Sequence, residues 1–219
     1  MPQRPPGERN KDFGEVNLGL TPEEAMVEAR RCLDCAKPGC IAGCPVRIDI
    51  PSFIKLVEKG EFAAAAAKIR ESNSLPAVCG RVCPQETQCE ETCNLRQATG
   101  VSVAIGNLER FVSDCERGAG GAAVPPLPPP AGHKVAVVGA GPSGLTVAGE
   151  LARAGYRVTI FEALHEAGGV LIYGIPEFRL PKSILVAEVA YLERLGVEFR
   201  LNFIVGLTAT IDDLRADGY

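Results

Sequence analysis

The chain has 219 residues, of which 46% are hydrophobic and 23% charged, and its net charge at neutral pH is −4. This composition is ordinary for a globular protein and is sufficient for one large domain or two small ones. The acidic net charge gives no reason to expect nucleic acid as a partner.

The N-terminal stretch MPQRPPGERN is polar and rich in proline, so it is not a secretory signal peptide. The most apolar stretch, residues 135–152, is interrupted by four glycines and a proline. This pattern indicates a buried strand, a turn and a helix, and argues against a membrane span. We therefore expect a cytoplasmic protein that does not contact a membrane.

The first half of the chain shows helical patterns. Thr21–Glu24 reads as a capping box with proline at the first helical position, and the helix that it starts is predicted to run into Cys32. Residues 50–60, 61–73 and 101–118 also show helical spacing. The packed face of the last helix is predicted to consist of Val103, Ile105, Leu108 and Phe111.

Eight of the nine cysteines fall in two tight groups, and Cys115 stands apart as a structural free thiol. A disulfide framework is not expected in a reducing compartment, so the grouping indicates metal. The first group has the spacing C-x2-C-x4-C-x3-C-P and the second C-x3-C-P-x4-C-x3-C. Their members are Cys32, Cys35, Cys40 and Cys44, and Cys79, Cys83, Cys89 and Cys93.

The spacing of both groups is similar to that of bacterial ferredoxins. There, three close cysteines hold one cubane cluster, and a fourth, placed before a proline, reaches another cluster. Two such runs predict two [4Fe–4S] clusters with interleaved ligands. Two structural zinc sites would also use eight thiolates, although only Cys32 and Cys35 have the usual zinc-knuckle spacing. Inert buried thiols are the third alternative.

Residues 117–132 are mostly Gly, Ala and Pro and are predicted to form a linker between the first domain, 1–116, and the second, 133–219. The second domain alternates strands and helices, with strands expected in 133–141, 156–162 and 197–206 and helices in 142–155 and 184–196. This order predicts a parallel sheet.

A dinucleotide fingerprint follows the first of these strands, in residues Gly139-Ala140-Gly141-Pro142-Ser143-Gly144. The first glycine permits a tight turn, the second lets the backbone approach a pyrophosphate, and the third allows close packing of helix on strand. The helix N-terminus at Pro142 and Ser143 offers free amides to phosphates. Glu162 would accept bonds from ribose hydroxyls, which favours FAD or NAD over NADP. The alternative is a glycine turn without a ligand.

The motifs CxxCxxxxCxxxCP, LPAVCGRVCPQETQCEETC and AIGNLERF closely resemble the N-terminal domain of the glutamate synthase small subunit. The same domain occurs in dihydropyrimidine dehydrogenase and in the large subunit of the NADH-dependent ferredoxin:NADP oxidoreductase. The resemblance extends from about residue 20 to the end of the chain. It implies an α-helical bis-[4Fe–4S] domain followed by a partial α/β Rossmann-like FAD-binding domain with a parallel sheet.

The resemblance also implies a set of cluster ligands. One cluster would take Cys32, Cys35, Cys40 and Cys93, and the other would take Cys44, Cys83, Cys89 and Glu109. Glu109 stands where relatives have a glutamine or glutamate ligand. By itself, a helical glutamate is more often solvated or paired with a neighbour such as Arg110 or Ser113. If Glu109 is not a ligand, Cys79 is the natural substitute.

The loop after Glu162 favours FAD over NAD, because Gly168 and Gly169 would let the backbone pass close to a ligand. By the same resemblance, residues 162–170, including Val170, line FAD. Arg179 lies near the flavin end, and Val205, at the end of the third strand, meets the adenine.

The implied function is that of an electron-transfer subunit of an NAD(P)H-dependent flavo-iron–sulfur oxidoreductase, passing electrons between FAD and two clusters to a partner subunit. No residue here is expected to act as a general base or nucleophile. Relatives continue with another strand beside the first and with an NAD(P)H domain. We therefore expect a fragment, or one piece of a split protein whose partner supplies the rest, with the sheet open at that flank. NAD(P)H would bind only the complete protein. The alternatives are a ferredoxin:NADP oxidoreductase-type subunit and a non-catalytic iron–sulfur relay or adaptor.

Overall fold

The computed structural model describes residues 2–219, which divide into two units. The first unit comprises the residues up to Gly121 together with Glu177–Pro181, and the second comprises Ala122–Pro176 and Lys182–Tyr219. The strands of the described chain all lie in the second unit. None of the helices within residues 2–219 combines the length and the apolarity that crossing a membrane requires.

The first unit is built from helices joined by short loops. Its helices are α1 (Pro6–Arg9), α2 (Pro22–Ala29), α3 (Gly39–Gly43), α4 (Ile50–Glu58), α5 (Phe62–Arg70), α6 (Pro76–Val82), α7 (Asn94–Thr99) and α8 (Ile105–Gly118). The predicted capping box starts α2, because Thr21 Oγ1 accepts from the Glu24 amide and the Glu24 carboxylate accepts from the Thr21 amide. The expectation that α2 runs into Cys32 is wrong: the helix ends at Ala29, and the Cys32 amide closes a tighter turn onto the Ala29 carbonyl.

The core of the first unit lies between α4, α5 and α8. Phe53, Val57, Ile69 and Leu108 are fully buried, as amphipathic helices that pack against one another require. The predicted packed face is confirmed, since Val103, Ile105, Leu108 and Phe111 are all buried. Helix α8 begins at Ile105, four residues later than the pattern of residues 101–118 predicts.

Helices α6 and α8 approach so closely that their backbones touch. A β-carbon on Gly80 would lie 2.5 Å from the backbone nitrogen of Arg110, and one on Gly106 would lie 2.4 Å from the side-chain amide of Gln85. Only glycine fits at Gly80, where the neighbour is backbone, whereas the Gln85 amide that faces Gly106 is the end of a flexible side chain. The crossing at Gly80 therefore fixes α6, which contains Cys79 and has Cys83 as its C-cap, against α8, which bears Glu109.

Two buried arginines stabilise this pair of helices. Arg81 and Arg110 both bind the carboxylates of Glu15 and Asp114, with Arg81 contacts of 2.9 Å to Glu15 and 2.8 Å to Asp114. Burial, followed by the charge of Arg81, lowers the pKa of Arg110. Because a buried guanidinium is costly unless it is paired, the network fastens the N-terminal segment at Glu15 to both helices.

The second unit contains a three-stranded parallel sheet with helices between its strands. Its elements are β1 (Lys134–Val138), α9 (Pro142–Arg153), β2 (Arg157–Phe161), α10 (Val170–Tyr173), α11 (Lys182–Arg194), β3 (Glu198–Arg200) and α12 (Ile211–Ala216). The strand order is β1-β2-β3, with Val137 opposite Ile160 and Ile160 opposite Phe199. The predicted parallel sheet is confirmed, and β1 lies at one edge of it.

The third strand is shorter than predicted. We expected a strand across 197–206, but β3 ends at Arg200. Asn202 has a left-handed backbone, with φ of 55°, and its amide donates to the Leu164 carbonyl at 3.0 Å. A strand cannot continue through that conformation, so Val205 lies beyond β3 and makes only an isolated bridge to Ala209.

Residues 119–132 contain neither helix nor strand. Part of this stretch nevertheless packs on the second unit. Ala122 is buried and its carbonyl accepts a bond from Arg194, while the Ala131 amide donates to the Gly155 carbonyl. These contacts tie the predicted linker to the domain that follows it.

Candidate functional site

Four cysteines from three parts of the first unit line one small cavity, which we call thiol site 1. Its members are Cys32, Cys35, Cys40 and Cys93. The first two lie in the loop between α2 and α3, the third lies in α3, and the fourth caps the N-terminus of α7. The structure thus brings together the four residues that the resemblance implied for the first cluster.

Glycines bring α3 against the segment that carries Cys93. A β-carbon on Gly39 would lie 2.2 Å from the Thr92 carbonyl oxygen, and one on Gly43 would lie 2.2 Å from the Thr92 hydroxyl oxygen. The Thr92 hydroxyl also donates to the Gly39 carbonyl at 2.9 Å. Close backbone approach of this kind needs glycine, and it explains how Cys40 reaches Cys93 across the sequence.

The thiols of site 1 are close enough for their charges to interact. Burial, with the charges of Cys93 and Cys32 adding to it, raises the pKa of Cys40 to about 12. Burial also raises the pKa of Cys32, while the Asp34 amide and the Lys55 ammonium oppose the rise. Because thiolates are the metal-binding form, a bound cationic centre would have to offset this repulsion.

A second set of donors, which we call thiol site 2, consists of Cys44, Cys83, Cys89 and Glu109, with Cys79 beside them. Burial, followed by the charges of Glu90, Glu109 and Cys44, raises the pKa of Cys89 well above its ordinary value. Burial and the charge of Cys83 raise the pKa of Glu109 to about 8, while a hydrogen bond from Asn73 opposes the rise. Cys83 is the C-cap of α6 and Glu109 lies in α8, and these two helices are in backbone contact at Gly80 and Arg110.

Two of these cysteines end a helix in the same way. Cys44 is the C-cap of α3 and Cys83 is the C-cap of α6, and each donates its amide to the carbonyl four residues earlier, at 3.1 Å. Both then turn extended, with ψ of 121° and 141°. A proline follows each of them, and the residue before a proline avoids the helical conformation. The Cys-Pro pairs therefore point the chain away from the helix just after the thiol.

Glu109 is neither solvated nor bound through its carboxylate to Ser113. It is 6% exposed, and its Oε1 accepts from Asn73 Nδ2 at 2.7 Å. The Ser113 hydroxyl binds the backbone carbonyl of Glu109 instead, at 2.8 Å. A buried carboxylate needs a hydrogen-bonding partner, and Asn73 supplies one here.

Cys79 and Cys83 form a hydrogen-bonded pair. The bond to Cys83, together with burial and the charge of Glu109, raises the pKa of Cys79 far above its ordinary value. The same bond lowers the pKa of Cys83 to about 7, against the effect of burial.

Across residues 2–219, no three or more side chains of His, Cys, Asp or Glu converge on a point where one metal ion could be held.

The glycine turn of the second unit has the geometry that its motif predicts. Gly139 has a left-handed φ of 94°, and a β-carbon on Gly144 would lie 2.0 Å from the Gly139 carbonyl oxygen. Gly141 caps α9, and a β-carbon there would meet nothing within 4 Å. Ala140 lies between them, and Pro142 and Ser143 form the first turn of α9. The turn thus leaves open space at Gly141, where the protein backbone is expected to approach a bound ligand.

Glu162 and the Gly168–Gly169 pair both contact this turn. Glu162 is buried, with Oε2 accepting from the Ala140 amide at 2.6 Å and Oε1 from the Leu164 amide at 2.9 Å. The Gly168 amide donates to the Ala140 carbonyl at 2.8 Å, and a β-carbon on Gly169 would lie 2.8 Å from Gly141 Cα. Each carboxylate oxygen keeps a second lone pair for a ribose hydroxyl.

The remaining residues predicted for the nucleotide site are Val170, Val205 and Arg179. Val170 begins α10 and is 58% exposed. Val205 is half-buried in the irregular segment after β3. Arg179 belongs to the segment grouped with the first unit, where it lines an open surface cavity together with Gln3, Pro6, Arg9, Asn10, Val16, Asn17 and Phe178.

The sequence did not indicate two residues that support thiol site 2. One is Asn73, whose only sequence signal is a turn-forming Asn-Ser ahead of Pro76. The other is Glu90, next to Cys89, whose carboxylate accepts from the Gly106 amide at 3.1 Å and the Ser102 hydroxyl at 3.4 Å. Burial raises the pKa of Glu90. The spacing of residues along the sequence does not show that Asn73 and Glu90 contact α8.

Two family models match the chain. One, described as dihydropyrimidine dehydrogenase domain II, 4Fe-4S cluster, matches residues 9–120, and the other, described as an NAD(P)-binding Rossmann-like domain, matches residues 137–177. The first span includes both thiol sites and the second includes the glycine turn and Glu162. The predicted order of a helical iron–sulfur domain and a Rossmann-like region is confirmed.

Individual relatives are similar over nearly the whole chain. The glutamate synthase (NADPH) small chain of Azospirillum brasilense is 39% identical over 97% of this chain and 44% of its own length. That of Escherichia coli is 38% identical over 99% and 46%. The NAD-dependent dihydropyrimidine dehydrogenase subunit PreT of Escherichia coli is 42% identical over 93% and 49%. The resemblance to such subunits is confirmed, and the chain spans about half the length of these relatives.

Proposed function

Because the chain belongs to the family of dihydropyrimidine dehydrogenase domain II, 4Fe-4S cluster proteins, we propose that it is the electron-transfer part of an NAD(P)H-dependent flavo-iron–sulfur oxidoreductase. One observation carries the proposal: Cys32, Cys35, Cys40 and Cys93, which come from three separate stretches of the first unit, line a single cavity. We assign one [4Fe–4S] cluster to each thiol site and FAD to the glycine turn.

The chain's residues would hold these groups and set their environment. When bound, FAD exchanges electrons in pairs with a nicotinamide nucleotide, and each cluster carries one electron at a time. Burial of Cys44, Cys89, Cys93 and Glu109 excludes water from the cluster ligands. A carboxylate is a harder and weaker ligand for iron than a thiolate, so the two sites would differ in reduction potential.

The nucleotide site would bind FAD by its backbone. The N-terminus of α9 presents free amides to the pyrophosphate, and Gly141 leaves room for close approach. Glu162 holds the turn through the Ala140 amide and would accept a ribose hydroxyl as well. By the resemblance, Arg179 and Val205 would contact the flavin and adenine ends.

The electrons would pass to or from a partner subunit. Two relatives are named small chains of glutamate synthase and a third is named a subunit of dihydropyrimidine dehydrogenase. The acceptor reaction that we propose first is glutamate synthesis. The second is reduction in a dihydropyrimidine dehydrogenase-type complex, which the 42% identity to the PreT subunit supports. A chain that completes the FAD domain is a further proposed partner.

The test is the cofactor content of anaerobically purified protein. We expect about eight irons and eight sulfides per chain, a broad brown absorption band, and flavin. Cys40→Ser should remove the cluster of site 1, and Cys89→Ser that of site 2, so each should lose about half of the iron. Zinc without sulfide would overturn the proposal and leave a structural module. Iron and sulfide without flavin, even after addition of FAD, would favour the relay or adaptor function.

A further inference from the structure

Helix α3 and residues 88–93 lie against each other and run in opposite directions. A β-carbon on Gly39, at the start of α3, would lie 2.2 Å from the Thr92 carbonyl oxygen. A β-carbon on Gly43, at the end of α3, would lie 2.8 Å from the Gln88 carbonyl oxygen. The two glycines are four residues apart, and so are the two residues that they contact, in the reverse order. These contacts fix one antiparallel register between the two segments.

Each of the four residues in contact stands directly before a cysteine in the sequence. The contact at the start of α3 brings together the chain at Cys40 and at Cys93, both of which line the cavity of thiol site 1. The contact at the end of α3 brings together the chain at Cys44 and at Cys89, two donors that we assign to thiol site 2. One register therefore aligns a pair of donors for each site, and the amide of Cys44 donates to the carbonyl of Cys40 at 3.1 Å between them.

The side chain of Thr92 lies where the two segments meet. Its hydroxyl oxygen is 2.9 Å from the Gly39 carbonyl oxygen, 3.3 Å from that of Gln88 and 3.4 Å from that of Cys89. A hydroxyl has one proton to donate, and the shortest of the three contacts is the one to α3. The same oxygen would lie 2.2 Å from a β-carbon on Gly43, so the threonine occupies the space that the glycines of α3 leave free.

We propose that Thr92 is a positioning residue shared by the two thiol sites, which holds residues 88–93 against α3 and thereby fixes the place of one cluster relative to the other. The inference rests on the proposed function, which assigns a cluster to each site. Both sites take donors from the same two short stretches of chain, so a shift of one stretch against the other moves donors of both. Groups outside the ligand set commonly orient metal ligands in this way.

The test uses the substitution Thr92→Val in the full chain. Valine has nearly the shape of threonine but no hydroxyl, so the Gly39 carbonyl loses this donor. We expect a chelator to remove iron about tenfold or more faster from both sites, as is typical when a group that orients metal ligands is replaced. Electron paramagnetic resonance of the reduced protein follows each cluster separately, once Cys40→Ser and Cys89→Ser have identified the signal of each site. The magnetic interaction between the two reduced clusters should change as well, because it depends steeply on the distance between them.

Two further variants serve as controls. Thr92→Ser keeps the hydroxyl and should retain iron at both sites like the unsubstituted chain. Thr99→Val removes a hydroxyl that donates to the Leu95 carbonyl, four residues earlier, at 2.9 Å, which matches the local contact of Thr92 but not its contact with α3. It should leave both signals unchanged. If circular dichroism shows that Thr92→Val does not fold, Thr92→Ala takes its place, because alanine removes the same hydroxyl without adding bulk.

The outcomes separate this inference from the proposed function. If the unsubstituted chain holds both clusters and Thr92→Val loses iron no faster, the role of Thr92 is overturned and the proposed function stands. Faster loss from one site alone would also overturn the inference, because Thr92 would then not be shared by the two sites. So would equal losses in Thr92→Ser and Thr92→Val, which would exclude the hydroxyl as the cause. If the unsubstituted chain holds no cluster, the proposed function fails and the inference fails with it.

Discussion

Gly80 on α6 and Arg110 on α8 are in backbone contact, and a β-carbon on Gly80 would lie 2.5 Å from the Arg110 nitrogen and 2.7 Å from its Cα. The contact lies between Cys79 and Cys83 on one helix and beside Glu109 on the other. The distance between the two helices therefore also sets the distance between Cys83 and Glu109.

Gly80→Ala should push α6 away from α8. We expect the free energy of unfolding to fall by about 1–3 kcal/mol, as for other overpacked cores, and the site 2 cluster to be lost preferentially. Chemical denaturation and iron analysis measure these two effects. Gly118→Ala, at the end of α8 and with nothing within 4 Å of its β-carbon, is the control and should not destabilise the protein. Equal effects of the two changes would contradict the close crossing.

Arg81→Met should destabilise the first unit, because it removes one of two buried cations from Glu15 and Asp114. Breaking a buried pair typically costs about 3–5 kcal/mol, and the lower end is expected here since both carboxylates are partly exposed. The exposed pair Arg215–Asp212 supplies the control: Arg215→Met should leave the denaturation midpoint unchanged. A negligible effect of Arg81→Met would show that the network adds nothing to stability.

Gly141 and Gly144, the second and third glycines of the turn, should respond differently to substitution by alanine. Gly144→Ala places a β-carbon 2.0 Å from a backbone oxygen, so we expect lower stability and loss of flavin together. Gly141→Ala meets no atom within 4 Å, so the fold should persist while FAD affinity falls about tenfold or more through contact with the pyrophosphate. Thermal unfolding and flavin titration distinguish the two. Normal FAD binding by Gly141→Ala would argue against a ligand at this turn.

Asp12 should titrate at unusually low pH. The hydrogen bonds from the Arg4 guanidinium and the Gly14 amide lower the pKa of Asp12 to about 2. A depressed folded-state pKa means that the contribution to stability is present above the unfolded value of 3.8 and is lost as pH falls through about 2. Carbon-13 NMR of the carboxyl group measures this, and Arg4→Met should return the midpoint towards 3.8. A midpoint near that value in the unchanged protein would contradict the ion pair.

Removal of the clusters should loosen the first unit more than the second. Metal binding free energy contributes to folding where the site is formed by distant segments, and the buried thiols repel one another when ionised. After chelation under mild oxidation, amide hydrogen exchange should rise in α3, α6 and α7 and stay low in β1 and β2. If the amide protection of these helices is the same before and after iron loss, the helices hold their positions without the clusters.

Several features of this protein depend on neighbours in the sequence, and the sequence determined them by itself. The capping box at Thr21, the buried face of α8, the glycine turn after β1 and the parallel order of the strands all follow from residue types at short spacing. The cysteine pattern likewise indicated clusters, because a loop can wrap only part of a cubane. In each case the residues that cause the feature lie close together in the sequence.

Other features were decided only by the tertiary structure, because they depend on distant groups meeting under burial. The end of β3 depends on the bond from Asn202 to Leu164, and the approach of Cys40 to Cys93 depends on the glycines of α3 against Thr92. The bond between Asn73 and Glu109 joins residues 36 positions apart. Desolvation makes such partners obligatory, and no local pattern can show which pair will meet.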